Sequence, residues 1–190
     1  MGCTPHTPGR LPSPHRVFPR PLSRKGCRAD SAAAAGVVII AVPFASQAAI
    51  LQDLRAVVAG KIVVDTTVPL VPPKVMRVQL PPEGSAAQKA QQILGEGVTL
   101  VSAFHSVAAH KLITDEQVDC DVLVFGDSKE ARAQVVTLVE ACGLRGLHGG
   151  ALANSAAAEA LTSVLIFMNK QYAVDGAGIR ITGDLRMTAG

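Results

Sequence analysis

Aromatic side chains are scarce: 3% of the 190 residues, with no Trp and a single Tyr. A surface that stacks on single-stranded nucleic acid needs such rings at intervals, so no nucleic-acid partner is expected. Long apolar runs are lacking as well. The longest near the C-terminus, Val164 to Met168, has five residues, against about 20 for a membrane-spanning helix. The cysteines, Cys3, Cys27, Cys120 and Cys142, form no C-x-x-C pair and no zinc spacing, and Cys3, His6, His15 and Cys27 match no ligand pattern. They read as reduced thiols of a cytoplasmic protein without a metal. A glycine-rich G-x-G-x-x-G turn, whose amides would hold a pyrophosphate, is also missing; Gly176-Ala177-Gly178 is followed by strand-like residues rather than a helix.

What is present divides into three textures. Residues 1 to 30 hold six basic side chains (Arg10, Arg16, Arg20, Arg24, Lys25, Arg28) against one acidic, Asp30, so the whole basic excess of the +3 chain lies there. Six of the twelve prolines are interleaved with them. Such a stretch cannot order itself by burial and is expected to be disordered or aberrant. The remainder, 48% hydrophobic counted over the whole chain, can bury a core.

From residue 31 to 148 short β-branched runs alternate with helical patterns. Val37 to Val42, Ile62 to Val64, Val98 to Val101 and Val122 to Phe125 are apolar on both faces, as in strands covered by helices on each side. Ser46 is expected to cap one helix that Gly60 ends, and Ser128 another with Gly143 beyond it. The economical fold is α/β, a doubly wound parallel sheet. Residues 149 to 190 form the third texture, a small helical C-terminal subdomain. Within it, 151 to 172 reads as one helix with Ala157, Leu161, Val164, Leu165, Met168 and Tyr172 on a face that should be buried, in part against a second copy.

Ligands gather beyond the carboxyl ends of strands in such sheets. That rule selects Pro43 to Ser46, Asp65 to Pro69, Ser102 to His110 and Gly126 to Ser128. Each has a plainer explanation: Pro43 is also punctuation, Asp65 and Thr66 turn caps, Gly126-Asp127 a helix entry. The segment with His105 and His110 is small and mildly apolar, suited to a flat ligand. Its two imidazoles are five apart, a poor spacing for shared metal binding on a helix.

In one order along the chain stand Ala41-Val42-Pro43-Phe44, Gly60-Lys61-Ile62-Val63-Val64-Asp65-Thr66-Thr67, Val101-Ser102-Ala103-Phe104-His105, Cys120-Asp121-Val122-Leu123-Val124-Phe125-Gly126-Asp127 and Gly149-Gly150-Ala151-Leu152-Ala153-Asn154-Ser155. Over roughly residues 32 to 185 this set resembles the NADPH-dependent F420 reductases. The resemblance implies an incomplete Rossmann-like domain for NADP(H) and a C-terminal domain closing over coenzyme F420, with hydride passing between the deazaflavin and nicotinamide rings. It implies that Val42, Pro43 and Phe44 line the nicotinamide end. By the same resemblance His105, Ser106, Val107 and Ala109 border the deazaflavin, Ala177 closes over it, and His105 positions the ring or stabilises charge. The partners implied are small-molecule cofactors and a second copy in a homodimer. The family's first strand, glycine-rich turn, first helix and Ser-Arg segment have no counterpart here, so a truncated or frameshifted reductase with weakened NADP binding is expected. Two other readings stand beside it: a non-catalytic remnant or binding subunit, and a dehydrogenase of the pyrroline-carboxylate reductase type.

Overall fold

The computed structural model describes residues 27–113 and 118–186. Helix α1 (Cys27–Ala34) leads to strand β1 (Val37–Ile40), helix α2 (Phe44–Leu54), strand β2 (Ile62–Asp65), helix α3 (Ala86–Leu94) and strand β3 (Thr99–Ser102). A 3-10 turn (Ala109–Ile113), strand β4 (Asp121–Gly126), helix α4 (Lys129–Ala141) and strand β5 (Arg145–Gly150) follow, then a second 3-10 turn (Leu152–Asn154) and helix α5 (Ser155–Tyr172). The expected β-branched runs are strands β1 to β4, and the five strands lie side by side in chain order.

The sheet is mostly parallel, with one departure from expectation: β3 and β4 pair antiparallel, Val101 opposite Gly126 and Ser102 opposite Phe125. Right-handed crossovers that advance in one lateral direction place helices on one face, and on the opposite face once the strands reverse. Helices α2 and α3 accordingly pack Leu51, Leu54, Ala87, Ala90 and Leu94 against Ile40, Val63 and Leu100. Helix α4 packs Ala131, Val135 and Val139 against Val64, Val101, Val122 and Val124 on the other face. Neighbouring residues of β2 thus serve two cores, which is why the run Ile62 to Val64 is apolar throughout.

Several local expectations are corrected. Pro43, not Ser46, is the N-cap of α2, because the chain leaves β1 extended and Pro43 fixes the entry to the helix. Helix α2 ends at Leu54, ahead of Gly60. Ser128 does cap α4, accepting from the Ala131 amide, and Gly143 follows at φ +80°. Cys27 to Asp30, assigned to the disordered segment, form the start of α1, while residues 1–26 of that segment lie outside the described residues. At the free edge of the sheet, Ile39 is 55% exposed, since no described helix covers the α4 side of β1.

Helix α5 buries only part of its expected face: Leu165 is buried and Leu161 half-buried, but Ala157, Val164, Met168 and Tyr172 are exposed within one chain, while Ser155, Ala158, Glu159 and Ser163 are buried instead. The helix turns its polar stripe inward because that stripe meets unpaired backbone groups of α3 and of the turn after β3.

Candidate functional site

The carboxyl ends of β1, β2 and β3 lie level, Ile40 beside Asp65 and Asp65 beside Ser102. Val42, Pro43 and Phe44 leave β1 at this edge, and Ala103 to Val107 leave β3 at it. With strands about 4.8 Å apart, the two segments emerge about 10 Å from one another, flanking Thr66 and Thr67. Thr66 donates from its N–H and its hydroxyl to the Ile40 carbonyl, 3.1 Å in each case, and the Ala103 N–H donates to the Asp65 carbonyl at 3.1 Å, so these exits are laced together. The segment Gly126 to Ser128 does not join them. Because β4 runs against β3, it heads back toward the amino end of β3, where Asp127 accepts the Leu152 amide.

The turn after β3 is tightly built. Phe104 sits at φ +69°, a left-handed conformation that costs a side-chain-bearing residue about 1–2 kcal/mol. It turns the chain so that the His105 ring folds back under the sheet edge. There the imidazole Nε2 lies 2.7 Å from the Ser102 hydroxyl, and the ring meets Phe125 at a centroid separation of 6.0 Å. His105 is buried, and burial pushes its pKa down to about 4. The ring is therefore neutral near pH 7. Its own carbonyl accepts the Thr162 hydroxyl of α5 at 2.9 Å.

Ser106 and Val107 are half-buried and Ala109 is exposed. The C-terminal segment comes to meet them. Gly176 lies on Ala108 so closely that a Cβ there would stand 2.9 Å from the Ala108 methyl carbon, and the Ala177 amide is held by Asn169 Oδ1 at 2.7 Å. Cys120 donates its Sγ–H to the Ser106 carbonyl at 3.5 Å. The structure thus sets Gly176, next to Ala177, against Ala108 in the turn after β3, and places Val42 to Phe44 across the same sheet edge. Val42 also ends a groove of about 430 Å³ that runs along the free edge of β1.

Beneath these walls lie buried polar groups, of which the sequence reading singled out Asp65 but neither Gln47 nor Glu159. Asp65 accepts from Gln47 Nε2 at 2.6 Å and from the Thr67 amide at 3.1 Å; burial nevertheless raises its pKa to about 6. Glu159 accepts the Ala86 and Ala87 amides, and burial first, with the nearby Asp65 charge adding, raises it to about 7. An acidic residue alone in the apolar run of α5 was the available signal. Asp121, likewise buried, is held low by Arg145, whose Nε donates at 2.7 Å, and it also accepts the Ile181 amide. Among the described residues no group of three or more His, Cys, Asp or Glu side chains is arranged to hold a metal ion, and no helix is long and apolar enough to cross a membrane.

A doubly wound sheet whose strand ends carry two apolar walls and a neutral, buried histidine places the chain in the class of Rossmann-like α/β proteins. Comparison narrows this. The chain is 38% identical over 159 residues to the F420-dependent NADP reductase of Methanocaldococcus jannaschii, covering 80% of this chain and 70% of that protein. It is 37% identical over 159 residues to the F420-dependent NADP reductase of Methanothermobacter thermautotrophicus, with 80% and 68% covered. A solved structure from Arthrobacter sp. FB24, assigned as an F420-dependent NADP reductase, superposes with a TM-score of 0.73 at 26% identity, covering 82% of this chain and 72% of that one. No protein-family model matches. The chain belongs to the F420-dependent NADP reductases.

Proposed function

We propose that this chain is an oxidoreductase that passes a hydride from C5 of reduced coenzyme F420 to C4 of NADP's nicotinamide, or the reverse. The two rings carry the electrons, so the protein supplies place, orientation and exclusion of water. The reading is carried by one observation: at the ends of β1 and β3 two mainly apolar segments face each other across a floor whose carboxyls are hydrogen-bonded away, with the one histidine neutral. Nothing there competes for the hydride. Val42, Pro43 and Phe44 border the nicotinamide. His105, Ser106, Val107, Ala109 and Ala177 border the deazaflavin, His105 by fixing the turn through Ser102 and Phe125. In this reading residues 31–148 hold NADP, residues 149–190 close over F420, and the thiols suit a cytoplasmic setting.

Mixing the chain with reduced F420 and NADP and following the return of deazaflavin absorbance tests this. Transfer is expected, and His105→Ala, which leaves the Ser102 hydroxyl and the Phe125 edge without their partner, should slow it about tenfold. Transfer unaffected by His105→Ala would contradict the assignment of that wall.

The exposed side of α5, with Phe167 49% and Tyr172 67% exposed beside Val164 and Met168, supports a homodimer in which a second copy covers it. Sedimentation should give a dimer, and Phe167→Asp a folded monomer. A wild-type monomer at high concentration would rule the contact out.

A further inference from the structure

Five buried polar side chains, Gln47, Asp65, Ser85, Ser155 and Glu159, join four elements at the site end of the sheet. Asp65 at the end of β2 accepts from Gln47 of α2; the same Gln47 amide donates to the Ala86 carbonyl at 3.2 Å; and Ala86 and Ala87, in the first turn of α3, donate their N–H groups to Glu159 of α5 at 2.6 and 3.1 Å. One turn along α5, Thr162 donates to the His105 carbonyl, and one turn back Ser155 donates to Ser85, the N-cap of α3, at 3.0 Å. Ser155, Glu159 and Thr162 are four and three residues apart and share one helix face. Glu159 is the charged member of that stripe, and its two oxygens take two amides that the first turn of α3 cannot pair internally.

We propose that Glu159 is a positioning residue for the deazaflavin side of the site: anchored on α3, it sets the rotation and height of α5 and thereby, through Thr162, the place of the His105 carbonyl and of the turn at Phe104. The proposal rests on the reading of that turn as the deazaflavin border. Asp65 is the titratable group that faces Glu159; α3 offers it amides and α5 offers Ser155. Burial raises the Glu159 pKa to about 7, so ionisation above neutrality works against the closed arrangement and loosens the anchor.

Glu159→Gln keeps the shape and replaces one acceptor with an NH2 that opposes an N–H. In the full ligand-free chain, amide hydrogen exchange reports both ends: Ala87 at the anchor, and Val107, whose N–H is bonded to the Phe104 carbonyl at 3.3 Å. Protection is expected to fall about tenfold at both amides in Glu159→Gln. Wild-type protection at Val107, corrected for intrinsic exchange, should fall between about pH 6 and about pH 8 and be flat in the variant. F420 affinity, read from deazaflavin fluorescence, should weaken by a similar factor. Loss of protection at Ala87 with Val107 unchanged, or a pH dependence at Val107 that survives Glu159→Gln, would overturn the proposal. Should that variant fail to fold, Thr162→Val decides, since it leaves the anchor intact: Val107 loosened with Ala87 unchanged supports the coupling, and Val107 unchanged refutes it. A wild-type chain that binds no F420 while Val107 still answers to Glu159 would sink the deazaflavin reading and leave the coupling standing.

Discussion

At the scale of single residues, burial sets charge, and charge sets the pH response. Burial holds His105 at about 4 against 6.5 in an open chain, so between those values the folded protein binds fewer protons than the unfolded. His105 therefore contributes stability that grows as pH rises from about 4 to about 6.5. Asp65 and Glu159 do the reverse: raised from 3.8 to about 6 and from 4.5 to about 7, they contribute stability that is present below their unfolded values and lost as pH rises through the folded ones. In the wild type the two trends oppose each other. His105→Asn leaves only the second, so its urea midpoint should fall more steeply from about pH 4 to about pH 7. The two curves should diverge by about 3 kcal/mol across that window. Parallel curves would contradict a buried, neutral His105. His105 itself was legible from its place after an apolar strand; its partner Ser102 was not singled out, although it stands three residues earlier. Glu159 was hidden by a pattern read for apolar faces alone.

At the scale of elements, the strands with β-branched runs were legible and β5 was not. Arg145-Gly-Leu-His-Gly-Gly has no β-branched residue and three glycines, yet it pairs with β4 along its length. The glycines answer to neighbours rather than to strand propensity. Gly149 lies under the Phe125 ring, where an added Cβ would stand 2.3 Å from a ring carbon. Phe125 in turn meets the His105 ring. Gly149→Ala should destabilise by about 1–3 kcal/mol through overpacking, and should also shift the His105 ring resonances, because the displaced ring leans on it. A thermal midpoint equal to wild type would show that the ring has room to spare. Helix α3 was passed over although Ser85-x-x-Gln88 is a capping signal and Gly95 follows its end; the Ser85 hydroxyl accepts the Gln88 amide at 2.9 Å. Helix α5 was legible as a helix, and of its expected face Leu165 is buried, whereas the burial of Ser155, Glu159 and Ser163 was not foreseen. Its polar stripe satisfies backbone groups that cannot be left bare, while its apolar stripe can be covered by a second copy.

At the scale of the whole molecule, the doubly wound architecture followed from alternation, and the reversal at β4 did not, because a strand's direction leaves no mark on its own composition. Reversal has two effects. It sends α4 to the opposite face, and it projects Cys120 and Asp121 beyond the end of β3, where Cys120 reaches the Ser106 carbonyl and Asp121 holds the tail at Ile181. The wall that the proposed function gives to the deazaflavin is thus assembled from the turn after β3, the start of β4 and the C-terminal segment, three pieces distant in sequence and joined by the fold. The wall that the same proposal gives to the nicotinamide leaves the end of β1. Reduced F420 labelled with deuterium at C5 tests this arrangement most directly. If the two walls bring the rings together, the label appears on C4 of NADPH, on one face only, with none lost to water. Label recovered in solvent, or NADPH formed without it, would show that the rings never meet in this crevice.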